Sequence, residues 1–228
     1  MKIAIVLVVT LIGAAPLAAQ TRTPATACAP PSISFRPFFQ VSGEHFAAKE
    51  TFDAVLAAQP LEPFWGGGVQ VLWRSGLFVD VSASRFRKVG QRVFVSNGRA
   101  FPLGIPLTAT ITPFELMGGY RFHLTQRVAR STTRVPSRVV PYVAGGFSRY
   151  AYTEVSDFAS ADENVDTSAY GVALVGGAEF RLQKWISVSG DVEYTHITGI
   201  IGGSGAAKEF GESDLGGTAV RVRVLVGR

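Results

Sequence analysis

The stretch Tyr170–His196, YGVALVGGAEFRLQKWISVSGDVEYTH, carries the pattern that decides the fold. Tyr170, Val172, Leu174, Gly176, Ala178 and Phe180 form one row, and the opposing row ends in Glu179 and Arg181. After Gln183-Lys184-Trp185 the alternation resumes, with Ile186, Val188, Gly190, Val192 and Tyr194 against Ser187, Ser189, Asp191 and Glu193. Successive side chains of a strand point to opposite faces, so period two with one apolar row predicts two half-polar strands. The short link predicts a hairpin pairing Leu182 with Ile186, which puts both apolar rows on one face.

The same alternation recurs along the chain. Ile33–Ser42, Trp65–Trp73, Leu77–Ser84, Phe114–His123, Tyr142–Tyr152 and Thr218–Val226 complete a set of eight predicted strands. The segment Tyr142–Tyr152 is the least regular, and Arg149 is the residue that suggests its polar face. Arg74-Ser75-Gly76 predicts a second tight hairpin, pairing Trp73 with Leu77. Asn97-Gly98 predicts a third, pairing Val95 with Ala100; carried back without a bulge, it sets Leu77 opposite Gly118. All three turns agree on one face assignment.

Between the strands, long excursions cover Gly43–Phe64, Arg85–Pro113, Glu154–Thr167 and His196–Gly217, alternating with tight turns and the intermediate link Thr125–Pro141. Ala47–Ala58 has the spacing for one or two helical turns over a barrel mouth. The Gly202–Lys208 segment lacks the Gly-Lys-Ser/Thr core of a phosphate loop and reads as a loop tip.

The chain has 228 residues, 47% hydrophobic and 17% charged, with 25 glycines and one cysteine. A single cysteine excludes a disulfide framework and Cys-based zinc ribbons. Residues 1–20 have the layout of a secretory signal peptide, 21–31 read as a linker, and 32–228 form the barrel domain. Cys28 reads as an unpaired thiol, with lipidation at Ala25-Thr26-Ala27-Cys28 as the alternative. No later apolar run reaches the ~20 residues of a membrane helix.

Two architectures share this pattern: a membrane barrel with its apolar row outward, and a soluble calycin-like barrel with that row inward. Trp65, Trp73, Tyr120, Phe122, Tyr142, Tyr150, Phe180 and Tyr194 fall towards strand ends on the expected apolar face, as interfacial aromatics do. The apolar rows are nearly free of charge, so lipid outside fits better. The expected fold is an all-β, eight-stranded antiparallel up-and-down transmembrane β-barrel with long extracellular loops and short periplasmic turns. Its lumen would hold Arg36, Asp80, Glu115, Arg121, Arg149, Glu179, Arg181, Asp191, Glu193, Arg221 and Arg223. A lumen of eight strands is wide enough only for side chains. Charges packed there must pair, because an unpaired buried ion costs several kcal/mol.

With these strands, turns and loops, the segment from Ile33 to Arg228 resembles the small outer-membrane barrels of the OmpA, OmpX and OmpW kind, without the peptidoglycan-binding domain. The resemblance implies residence in the cell outer membrane and assembly by the barrel-insertion machinery. It implies no single activity, since such barrels serve as anchors, adhesins, evasion factors and conduits. Some small barrels are lipid A deacylases, and His196-Ile197-Thr198 resembles their His-x-Ser pair with threonine in the nucleophile's place. No His/Cys/Asp spacing suits a metal, the acidic residues of Glu154–Asp166 lack EF-hand spacing, and no cofactor is expected.

Arg85, Arg87, Lys88, Arg92 and Arg99 form a basic excursion, and Arg127, Arg130, Arg134 and Arg138 a second basic run; both read as solvated faces, with lipopolysaccharide phosphates the alternative partner of the first. Nucleic acid is not an expected partner of an exported chain. The expected function is a non-enzymatic outer-membrane barrel with a surface role and a salt-bridged lumen. The alternatives are a narrow conduit for small or hydrophobic solutes and a soluble periplasmic ligand-binding barrel.

Overall fold

The structure is a computed structural model that describes residues 33–57, 61–123, 125–127, 134–156, 164–203 and 205–227. The predicted leader, the linker with Cys28 and the tip of the acidic loop lie outside the described residues. The elements in chain order are β1 (Ile33–Phe46), α1 (Lys49–Leu56), β2 (Glu62–Trp73), β3 (Leu77–Ser96) and β4 (Arg99–Arg121). They continue with β5 (Thr125–Arg127), β6 (Arg134–Pro136), β7 (Val139–Val155), β8 (Val165–Arg181), β9 (Ile186–His196), α2 (Gly205–Phe210) and β10 (Gly217–Val226).

Eight strands close into one antiparallel barrel, in the order β1-β10-β9-β8-β7-β4-β3-β2, while β5 and β6 pair separately. The closing seam joins β1 to β10, with Val41 opposite Val222 and Ser42 opposite Arg221. Closure leaves the barrel wall without the unpaired edges that invite aggregation.

The tight turns form as their residues predict. Gly76 has φ +95, which a residue with a Cβ rarely adopts, and its N–H donates to the Trp73 carbonyl at 3.0 Å. Leu182 N–H donates to the Ile186 carbonyl at 3.1 Å. Val95 pairs with Ala100 across Asn97-Gly98. The ladder below that hairpin shifts between Gln91 and Val93, so Leu77 meets Tyr120 rather than Gly118. The shift is by two residues, which preserves the faces. Much of the predicted Arg85–Pro113 loop is therefore strand, continuing β3 and β4 beyond the barrel wall.

One strand reverses the expectation. In β7, Tyr142 and Tyr150 are buried, while Arg149 is exposed opposite Phe114 and Tyr170 on the outer face. The two tyrosines are thus no part of an outer aromatic girdle, and Arg149 is no part of the lumen. Their hydroxyls explain it. Tyr142 Oη bonds to Asp191 at 2.5 Å, so an aromatic ring can face a polar interior with its polar tip satisfied.

The barrel has two interiors stacked along its axis. In the inward row of β1, Arg36, Gln40, Ser42 and Glu44 give way to Phe46; β3 runs Asp80, Ser82, Ser84, then Phe86. β9 runs Asp191, Glu193 and Thr195 up to Ile197 just past its end. The apolar end joins Phe46, Phe52, Phe64, Ile111, Tyr152 and Leu215 into one cluster. Helix α1 belongs to that cluster through Phe52 and Leu56, and Phe52 stacks on Phe46 with centroids 4.1 Å apart.

The helix is tied at both ends. Glu212 accepts from Thr51 N–H at 2.8 Å and Glu50 N–H at 3.0 Å, satisfying amides that the first helical turn leaves free. Lys88 Nζ donates to the Ala57 carbonyl at 3.3 Å and pairs with Glu62. The expected helical cap is present, and part of the Gly202–Lys208 segment proves to lie in α2 rather than a bare loop tip.

Candidate functional site

The polar interior is built from cross-strand neighbours. Ser42, Arg221, Asp191, Gly177, Tyr142 and Arg121 succeed one another across β1, β10, β9, β8, β7 and β4. Arginines separated widely in sequence thereby converge on the barrel axis.

At the end nearest the tight turns, Arg36 forks onto Glu179 with contacts of 2.7 and 3.0 Å. Arg36 also donates to Gln70 at 2.9 Å and Ser187 at 2.5 Å, and Arg121 lies 2.7 Å from Glu179 Oε2, the oxygen that Arg36 contacts at 3.0 Å. A two-pronged guanidinium–carboxylate contact fixes direction as well as charge. In the middle, Arg223 donates to Asp80 at 2.8 Å and to Tyr142 Oη at 2.7 Å, and Tyr142 donates its own proton to Asp191. The same guanidinium lies 5.3 Å from the centroid of Phe38 and 5.4 Å from that of Tyr142.

Above this, Arg221 holds Asp191 through Nε at 2.7 Å and Glu115 at 3.1 Å, and also contacts Glu193. Ser82 donates to Glu115 and Thr195 to Glu193, both at 3.0 Å. Glu44 lies just below the apolar cluster and accepts from Tyr150 at 3.4 Å. The void lined by Asp80, Glu115, Arg221 and Arg223 measures about 10 Å³, which is room for about one water.

Of the eleven residues expected in the lumen, nine are buried there. Arg181 ends β8 on the Glu179 side but is exposed. Arg149 points outward, as described. Glu44 was missed because the glycine at 43 reads as the end of a strand, although it continues the row of Gln40 and Ser42.

His196 Nδ1 lies 2.5 Å from Asp214 Oδ2, and Asp214 Oδ1 accepts from Ile197 and Gly216 N–H groups at 2.8 Å. Asp214 thus binds the end of β9 to the segment leading into β10. Thr198→Ala is expected to leave the lipid A of the producing cell unchanged by mass spectrometry; an altered acylation pattern would instead mark Thr198 as a nucleophile. Among the described residues, no group of three or more His, Cys, Asp or Glu is placed to hold a metal ion.

Several solved structures are similar to this one in outline. The N-terminal barrel of Pseudomonas aeruginosa OprF is 10% identical, with 85% of this chain and 97% of that chain covered and a TM-score of 0.44. A major outer membrane protein of Thermus thermophilus is 9% identical, with coverage of 85% and 99% and a TM-score of 0.46. The Yersinia pestis attachment invasion locus protein Ail is 12% identical, with coverage of 86% and 95% and a TM-score of 0.44. Among curated proteins, none matches the sequence significantly. The family model described as the outer membrane protein beta-barrel domain matches residues 4–226. The closed eight-stranded barrel, with charges inside and apolar rows outside, agrees with that match, and the chain belongs to the outer membrane protein beta-barrel domain family.

Proposed function

We propose that this protein is a non-enzymatic outer-membrane barrel that is closed to solutes and presents its capped end to the cell's surroundings. The observation that carries the reading is the doubly filled interior. Four buried arginines and their carboxylates occupy the turn-proximal half, and α1 with the phenylalanines packed around its Phe52 occupies the other.

A conducting lumen needs continuous water, and here side chains fill the axis. The outward rows suit lipid: Phe35, Val69, Val81, Leu116, Val143, Leu174, Val192 and Val222 are all exposed, and none of them can be satisfied by water. The extended β3–β4 hairpin, α1 and α2 then project from the membrane as the surface-facing part. Export through residues 1–20 and assembly by the barrel-insertion machinery belong to the same reading.

Planar-bilayer recordings are expected to show no conductance above background from the purified protein. Discrete, reproducible channel steps from protein free of other porins would instead favour the conduit reading.

A further inference from the structure

Two arginines interrupt the outward rows at the level of the upper aromatics, below the exposed Arg87 and Asp166. Arg85 on β3 is exposed opposite Trp65, and Arg149 on β7 is exposed between Phe114 and Tyr170. The strands carrying them flank β4. Among the described residues, Arg85 has no ion pair, and Arg149 has only a 3.3 Å bond to Ser168. Nothing inside the protein accounts for two such charges beside exposed rings.

The same strands carry an apolar groove lower on the wall. Val79, Gly118, Gly145 and Leu174 are successive cross-strand neighbours, so two adjacent glycines leave the sheet bare between larger side chains. The groove measures about 780 Å³ and is walled by Trp73, Leu77, Tyr120 and Leu174. Gly145 lies four residues from Arg149 on β7, about 13 Å along the strand at ~3.3 Å per residue. At the ~40° tilt of barrel strands that is about 10 Å of depth, within the roughly 12 Å that one leaflet contributes to the ~25 Å apolar band.

We propose that this face of β3, β4, β7 and β8 binds one phosphorylated lipid of the outer leaflet, its phosphate between Arg85 and Arg149 and an acyl chain descending into the groove floored by Gly118 and Gly145. The proposal rests on the reading that the outward rows meet lipid and the capped end faces outside. Charge complementarity selects the occupant. Guanidinium groups suit phosphate geometry, and phosphate is the anionic group that membrane lipids carry at the depth of the aromatic belt.

The test is native mass spectrometry of the full folded chain in a neutral maltoside detergent. Phosphorylated lipid A, dephosphorylated lipid A and inorganic phosphate are titrated separately. The wild type is expected to form a one-to-one complex with lipid A. That complex should weaken about tenfold or more in R85Q/R149Q and on removal of the phosphates, the loss of one good charged contact. G118L, which fills the groove where a Cβ meets nothing within 4 Å, should weaken it as well. If G118L does not fold, G118A is read in the same way. Unchanged lipid A binding by R85Q/R149Q would overturn the headgroup site, and unchanged binding by the groove variant would overturn the acyl site. Equal binding of dephosphorylated lipid, or of inorganic phosphate alone, would overturn the two-part lipid site. A protein that stays soluble without detergent would defeat the membrane reading itself, a separate failure.

Discussion

Arg221→Met is expected to lower the stability of the folded barrel by about 3–5 kcal/mol, the cost of stranding buried charges by removing their partner. The side chain serves Asp191 at 2.7 Å, Glu115 at 3.1 Å and Glu193 at once, and all three carboxylates are buried. Its removal takes from Glu115 and Glu193 the cation that contacts them, with Glu44 buried nearby, and leaves Asp191 with Arg223 at 3.2 Å. Methionine keeps much of the volume, so packing loss is small beside the electrostatic effect. Guanidinium titration of barrels folded into lipid vesicles, followed by tryptophan fluorescence, measures it. Arg181→Met serves as the control, because an exposed end position should change stability by no more than about 0.5 kcal/mol. Equal, small effects for both variants would mean that water reaches the interior and screens it.

Gly146→Ala should be nearly as damaging, although it adds only one methyl group. Gly146 faces inward on β7 beside Met117, and an added Cβ would stand 2.1 Å from the Leu116 carbonyl oxygen and 2.8 Å from Met117 Cα. Both obstacles are backbone, so no side-chain rotation relieves them and the sheet itself must open. A loss of about 3 kcal/mol or failure to fold is expected, at the upper end of overpacking costs. Gly118 provides the contrast: it faces the open outer surface, and Ala there should fold normally and change stability by less than about 1 kcal/mol. Comparable refolding yields for the two variants would contradict the close inward approach of β4 and β7.

The wall of the barrel was legible from sequence because its signals are local. Gly76, Asn97-Gly98 and the Leu182–Ile186 link each set a register by turn chemistry, and every strand except β7 alternates cleanly enough to name its faces. β7 defeated the rule because tyrosine is amphipathic. Tyr142 and Tyr150 look like membrane-facing rings by composition, yet their hydroxyls reach Asp191 and Glu44 inside. Arg149, the apparent lumen charge, is then forced outward by parity.

The network's connectivity was not legible at all. Arg36 and Glu179 are 143 positions apart, and only barrel closure brings them together. The apolar upper interior also lay beyond a single alternation rule. Where lipid surrounds the wall the inside is polar, and where water does the inside turns apolar, as burial of hydrophobic surface demands. Phe46, Phe86 and Ile111 lie at that change, in segments that read from sequence as loop.

The central claim is a closed transmembrane barrel, and gel mobility of the protein from washed outer membranes tests it most directly. Without boiling, a barrel whose every strand is paired should resist SDS and migrate as a compact species, and boiling should shift it to the unfolded position. Recovery in the soluble fraction, with the same mobility before and after boiling, would contradict the account and turn the apolar rows inward.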